Sequence, residues 1–204
     1  VIATGRDFVR AARRVREHLG QQHRWAHTLG VARVAERLAA AHGLDTRRAR
    51  IAGLLHDLAR LYPGERLLRE CAEHGLTIDA FERANPIVLH ARLGAELARE
   101  MFGIDDAATL SAIRKHTLGD AEMSPLDAVL YLADALEPGR DYPERAGMLA
   151  TAFTDLDAGM RAVIGSTLAY TLASGRTAAA QTLAAARRYH VPIPPRIAKE
   201  KTPA

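Results

Sequence analysis

Asp57 and Asp134 each stand alone inside an apolar run, Ile51-Ala-Gly-Leu-Leu-His-Asp-Leu-Ala59 and Ala128-Val-Leu-Tyr-Leu-Ala-Asp-Ala-Leu136. A buried carboxylate is costly unless it is paired or bound to a metal. A chain with two such runs must therefore fold so that each acid meets a partner. In the first run His56 precedes Asp57, and adjacent helix positions differ by about 100° around the axis. A well-packed helix cannot solvate both side chains, whereas a shared metal satisfies both at once. Taken alone, the pair also reads as a chance dipeptide at the edge of a buried face.

The rest of the chain reads as helix. Ala, Leu and Arg dominate, all good helix formers, and runs of β-branched and aromatic residues with period two are missing, so few or no strands are expected. Residues 6–19 form a basic amphipathic stretch ending near Gly20. Residues 24–42 carry His27, Val31, Val34, Ala35 and Leu38 on one stripe and stop at Gly43. Asp45 or Thr46 caps a third helix, with Ile51, Leu54, Leu55 and Leu58 on its stripe, running out near Pro63. Residues 64–74 follow, then an ambiguous stretch 77–85. A helix opens at Pro86 and ends at Gly103, and Asp105 caps 106–117. Ser124-Pro125 opens another helix, stopped at Pro138-Gly139. Helices from Asp155 or Asp157 to about Ser174, and from Thr177 to about Tyr189, complete an all-α bundle of about nine.

With 204 residues, 48% hydrophobic and 25% charged, the chain is globular. It holds one domain, or one domain with a helical extension. The expected division is an N-terminal helix over 1–22, a metal-binding core over 23–140, covering helices over 141–190 and a partly disordered tail over 191–204. A net charge of +4, nearly all from dispersed arginines, with only Lys115, Lys199 and Lys201 as lysines, reads as compositional bias rather than a polyanion patch. Nucleic acid is therefore not an expected partner. Cys71 is the only cysteine, no apolar stretch spans a membrane and no signal peptide stands at the start, so a reducing cytoplasm is the expected compartment.

His27 lies on the apolar stripe of its helix, and His90 and His116 have apolar neighbours, as Asp134 does. Singly, each histidine reads more readily as a core or surface residue. Jointly, four histidines and two aspartates without a thiol suit two mid-series divalent ions and argue against structural zinc. The turn His116-Thr117-Leu118-Gly119 can offer the Thr117 hydroxyl and backbone donors to a phosphate. Arg24 and Arg60 lie beside these residues in sequence and suit bidentate phosphate contact.

The order His27, His56-Asp57, His90, His116, Asp134 resembles the HD superfamily in its binuclear form, over residues 23 to about 140. The words HRWAHTLGV (23–31), LLHDLAR (54–60), LHARLGA (89–95), IRKHTLGD (113–120) and YLADALEPGR (131–140) are similar to the YqeK family of HD proteins. That family hydrolyses diadenosine tetraphosphate to two ADP. The resemblance implies an HD-domain helical bundle with six metal ligands, His27, His56, Asp57, His90, His116 and Asp134. His27, His56 and Asp134 would hold one ion, His90 and His116 the other, and Asp57 would bridge. His56 and Asp57 would be the catalytic pair, acting through a hydroxide activated between two divalent ions. Iron is the expected metal, with manganese, cobalt and nickel as alternatives.

The same resemblance places Glu137 and Arg140 near the nucleotide, beside Arg24, Arg60, Thr117 and Gly119. Arg24, Glu137 and Arg140 read equally as surface ion pairs. Two departures stand out. Arg60 replaces a usual lysine, and Leu89 replaces a usual tryptophan, which bears on stacking against the base. His23 could sit near the site without ligating, and Trp25 is expected to pack beneath the entrance. His18, His42, His74 and His190 read as helix C-terminal residues. The small residues of 150–190 suggest a core cover or a homodimer face. Alternative readings keep the site with another (deoxy)nucleotide as substrate, or reduce the protein to a non-catalytic nucleotide-sensing module.

Overall fold

The computed structural model describes residues 5–194. Among these, eleven α-helices and one 3₁₀ turn occur, with no strand. The helices are α1 (Gly5–Leu19), α2 (Gln22–Ala41), α3 (Thr46–Leu55), α4 (Gly64–Glu73), α5 (Ala80–Ala84), α6 (His90–Phe102), α7 (Ala107–Lys115), α8 (Pro125–Leu136), α9 (Arg145–Thr154), α10 (Leu156–Ala173) and α11 (Ala180–Arg188). The 3₁₀ turn, Pro86–Leu89, leads into α6.

Local chemistry sets most boundaries. Asp45 accepts from the backbone N–H groups of Arg47 and Arg48 at the start of α3. Ser124 and Asp127 form a reciprocal capping box at the start of α8, with Pro125 in its first turn. Gly103 ends α6 in the left-handed conformation, at φ 63°. The cap of α7 is Asp106 rather than Asp105, because Asp106 reaches both the backbone N–H and the hydroxyl of Thr109. Two short helices take the count past the nine expected. The five residues of α5 are held by a capping box between Asp79 and Glu82. No side-chain cap marks the start of α9.

Helix α8 runs through the centre, against α2, α3, α7, α9 and α10, with Leu130, Leu132 and Leu136 fully buried. The approach of α2 to α3 depends on Gly53. A Cβ there would lie 2.6 Å from the Ala32 Cα, nearer than real Cβ atoms come. This close packing sets α2, with His27, against the end of α3.

That end differs from the expectation. The α-helix stops at Leu55, and the chain turns tightly from His56 to Leu61, so the His-Asp pair lies at a helix end rather than inside a helix. The apolar pattern continues through Leu58 and Ala59, but tertiary contacts end the helix. Helix α6 crosses so near that a Cβ on Gly94 would lie 3.2 Å from the His56 carbonyl. The Leu58 carbonyl accepts from His18 Nε2 of α1 at 2.7 Å.

Helices α9, α10 and α11 cover the bundle. Gly159 of α10 lets that helix meet α9, since a Cβ there would stand 2.7 Å from the Ala152 Cβ. His42 donates to the Ala152 carbonyl at 2.7 Å, tying α2 to α9. The covering run ends with Val191 packed into the core. The rest of the expected tail, 195–204, lies outside the described residues, as do residues 1–4 of the expected N-terminal segment. No helix among the described residues is long and apolar enough to cross a membrane.

Candidate metal centre

Four histidines from four separate elements converge with two aspartates. His27 comes from α2, His56 and Asp57 from the turn after α3, His90 from the start of α6, His116 from the end of α7 and Asp134 from α8. Asp57 is 3% exposed, and His56, His90 and His116 are buried with it.

Asp57 divides its two oxygens between two groups. Oδ2 lies 3.4 Å from His56 Nε2 and 3.7 Å from His27 Nε2. Oδ1 lies 3.3 Å from His90 Nε2 and 4.0 Å from His116 Nε2. Asp134 Oδ1 joins the first group, 3.1 Å from His27 Nε2 and 3.8 Å from His56 Nε2. The donor atoms of His27, His56 and Asp57 lie within 4.8 Å of one another, as do those of Asp57, His90 and His116, the spread of ligands around a single ion.

The other ring nitrogens fix the tautomers. The Nδ1 atoms of His56, His90 and His116 face the backbone carbonyls of Gly53, Ile87 and Ile113, at 2.8, 2.5 and 2.7 Å. His27 Nδ1 faces Glu137 Oε1 at 3.0 Å. A carbonyl or carboxylate oxygen can only accept, so each Nδ1 carries the hydrogen. In its neutral form each ring therefore aims an Nε2 lone pair inward. Nε2 of both His27 and His56 is buried without a hydrogen-bond partner. Nε2 lone pairs turned toward carboxylate oxygens are acceptors facing acceptors, and a cation among them removes that penalty. The residues fit a divalent metal.

The electrostatics agree. Burial alone pushes Asp57 up, but His56 and His90 beside it outweigh this and hold it well below the usual carboxylate range. Burial likewise raises Asp134, and the imidazoles of His27, His56 and His116 with the Arg140 guanidinium hold it far below. Burial, then the neighbouring His56 and His90, push His116 down to about 3, so it is a neutral donor at physiological pH.

The centre opens into a pocket of about 210 Å³ whose lining includes Arg24, Arg60, Thr117 and Arg140. Arg24 Nη1 donates to Asp57 Oδ2 at 3.0 Å, and Arg140 Nη2 to Asp134 Oδ1 at 2.5 Å. Both are ion pairs at the centre, not on the open surface. Arg60 makes no ion pair among the described residues and faces the pocket. The Thr117 hydroxyl lies 3.2 Å from His90 Nε2 and 3.1 Å from His116 Nε2.

Other expected contacts fall differently. Glu137 does not face the pocket. It is buried, with one oxygen on His27 and the other accepting from the Gly139 N–H at 2.7 Å. Gly119 spends its N–H on the Lys115 carbonyl and lines a neighbouring cleft. Leu89 is fully buried in the core and can stack on nothing in the pocket. Trp25 packs half-buried beside a separate cleft with Arg13 and Arg16 of α1, and His23 is exposed. Sequence reasoning missed the support that Glu137 gives His27. Its one available signal was Gly30, where a Cβ would stand 2.5 Å from Glu137 Oε2.

Comparison with known proteins places this geometry. Residues 24–139 match the HD domain family. The chain is 35% identical to a symmetrical bis(5'-nucleosyl)-tetraphosphatase of Bacillus subtilis, over 73% of this chain and 80% of that one. It is 33% identical to the protein of that name from Halalkalibacterium halodurans, over 86% and 92%. A crystal structure of a predicted HD superfamily hydrolase involved in NAD metabolism, from Clostridium acetobutylicum, superposes with a TM-score of 0.86 at 33% identity, covering 90% of this chain and 96% of that one. The chain belongs to the HD-domain family and, within it, to the YqeK type of phosphohydrolase.

Proposed function

We propose that the protein hydrolyses diadenosine tetraphosphate symmetrically to two ADP, using two divalent metal ions. The observation that carries this reading is the divided carboxylate of Asp57, with each oxygen facing its own group of imidazole Nε2 atoms. His27, His56 and Asp134 would hold one ion and His90 and His116 the other, with Asp57 between them. Nitrogen and oxygen donors without thiolate suit iron, with manganese, cobalt or nickel able to replace it. Such ions supply an acidified water and neutralise charge on the phosphoryl oxygens.

The chain's own residues do the rest. The Nδ1 hydrogen bonds hold the imidazoles in one tautomer and one orientation. Arg60 and the outward faces of Arg24 and Arg140 would bind phosphate oxygens bidentately and align the anhydride. Two curated relatives named for this activity, each about a third identical over most of the chain, support the choice of substrate.

The test is product analysis. Purified protein with diadenosine tetraphosphate and iron or manganese, under reducing conditions, should give ADP as the sole product on ion-exchange chromatography. AMP with ATP would keep the hydrolase but overturn the point of cleavage. No product with either metal would overturn the substrate, leaving another nucleotide or a sensing role.

A further inference from the structure

The metal pocket, at about 210 Å³, is small and lined by arginines, so it suits phosphates rather than nucleosides. Two larger clefts adjoin it on different sides and share no lining residue with each other. One, of about 440 Å³, shares Val88 and Thr117 with the metal pocket. The other, of about 620 Å³, shares Arg140. Both fall within the usual size of small-molecule sites.

We infer that these two clefts each receive one nucleoside of the substrate, so that the tetraphosphate lies across the metal pocket with its middle anhydride at Asp57. This rests on the dinucleotide reading above and adds the binding site for each half. The chemistry of the walls supports it. In the smaller cleft the cations are already neutralised: Arg92 by Glu82, Arg114 by Glu96 and Lys115 by Asp127. Such a wall suits an uncharged group. Gln181 stands on it, its amide Nε2 donating to Asp79 Oδ2 of the same wall at 3.4 Å. A side-chain amide on that wall matches an adenine edge.

The larger cleft offers aromatic faces. Tyr142 is fixed by donation from its phenol to the Ala135 carbonyl at 3.0 Å. Tyr170 is 65% exposed on the same cleft. An exposed ring beside a phosphate-sized pocket is a stacking platform for a base. Glu144, on the same wall, can accept from ribose hydroxyls, as acidic residues do in other nucleotide sites. Gln181, Tyr142, Glu144 and Tyr170 all lie beyond the HD match, which ends at residue 139. The covering helices would thus select the substrate, while the HD core cleaves it.

The test uses Tyr170→Ala and Gln181→Ala in the metal-loaded full chain. Each should raise KM for diadenosine tetraphosphate about tenfold, with kcat changed less than about twofold, and the two effects should multiply in the double variant. Inorganic tripolyphosphate, which has no nucleoside, should inhibit both variants and the wild type with the same Ki. An unchanged KM in either variant overturns the inference. A parallel change in the tripolyphosphate Ki overturns it too, because the substitution then acts through the metal pocket. A wild-type protein that turns over no dinucleotide overturns the substrate itself, and the inference with it, and that outcome is visible before any variant is made.

Discussion

The two halves of the metal centre are built from the same imidazoles but differ in charge. The half around His27 and His56 has Asp134 to itself, a share of Asp57, and a second carboxylate, Glu137, on the far side of His27. The half around His90 and His116 has one share of Asp57 and no carboxylate of its own among the described residues. There, His90 Nε2 and His116 Nε2 lie 3.2 Å apart, and burial with like-charged neighbours holds His116 neutral down to about pH 3. Anionic ligands bind divalent ions more tightly than neutral ones at equal geometry. By that rule the first half is expected to hold an ion more tightly than the second, which would be completed through the shared carboxylate.

The largest expected effect tests what the halves share. Asp57→Ala should lower activity at least about a thousandfold and leave neither ion bound, by metal analysis after gel filtration, with the helical circular dichroism retained. Retention of one ion would break the bridging arrangement. Next, His90→Ala should leave about one ion per chain, whereas His56→Ala should leave less than one, because the weaker half cannot hold metal alone. The reverse order of retention would invert the comparison.

Glu137→Gln should weaken one ion about 10- to 100-fold in a chelator competition and leave the other unchanged, since only His27 loses its anionic support. Equal weakening of both would show that Glu137 acts through the fold. The smallest effect belongs to Gly30→Ala. Its Cβ would press hardest on Glu137 Oε2, at 2.5 Å, the far end of a side chain that can shift, so a loss of about threefold in the affinity of the same ion is expected. An effect as large as that of Glu137→Gln would mean that the displaced carboxylate cannot resettle.

These features were unevenly legible in the sequence. Asp45 and Ser124-Pro125 announce their helices because a cap acts on backbone groups two or three residues away. The six centre residues were legible because polar groups are conspicuous inside apolar runs. Helix α9, without a side-chain cap, gave no local signal. The end of α3 at Leu55 was hidden for another reason. The chain beyond it stays apolar, and what stops the helix is contact with α6 and α1. The family resemblance places Glu137 near the nucleotide, and its hydrogen bond with His27, 110 residues away, lies beyond any local pattern. Local pattern finds candidate ligands, while only the assembled fold finds what orients them.

The carbonyls of Gly53, Ile87 and Ile113 each stand three residues before the histidine they orient. A carbonyl belongs to the main chain, so no substitution at those positions deletes it. The orientation of His56, His90 and His116 is therefore insured against mutation, and side chains around them are free to drift provided the turn survives. Gly53 is confined by Ala32, for a reason unrelated to metal. His27 has no such insurance. Its orientation hangs on one carboxylate that a single base change in the gene can remove, which makes the pair His27 and Glu137 the point where sequence change reaches the centre most directly.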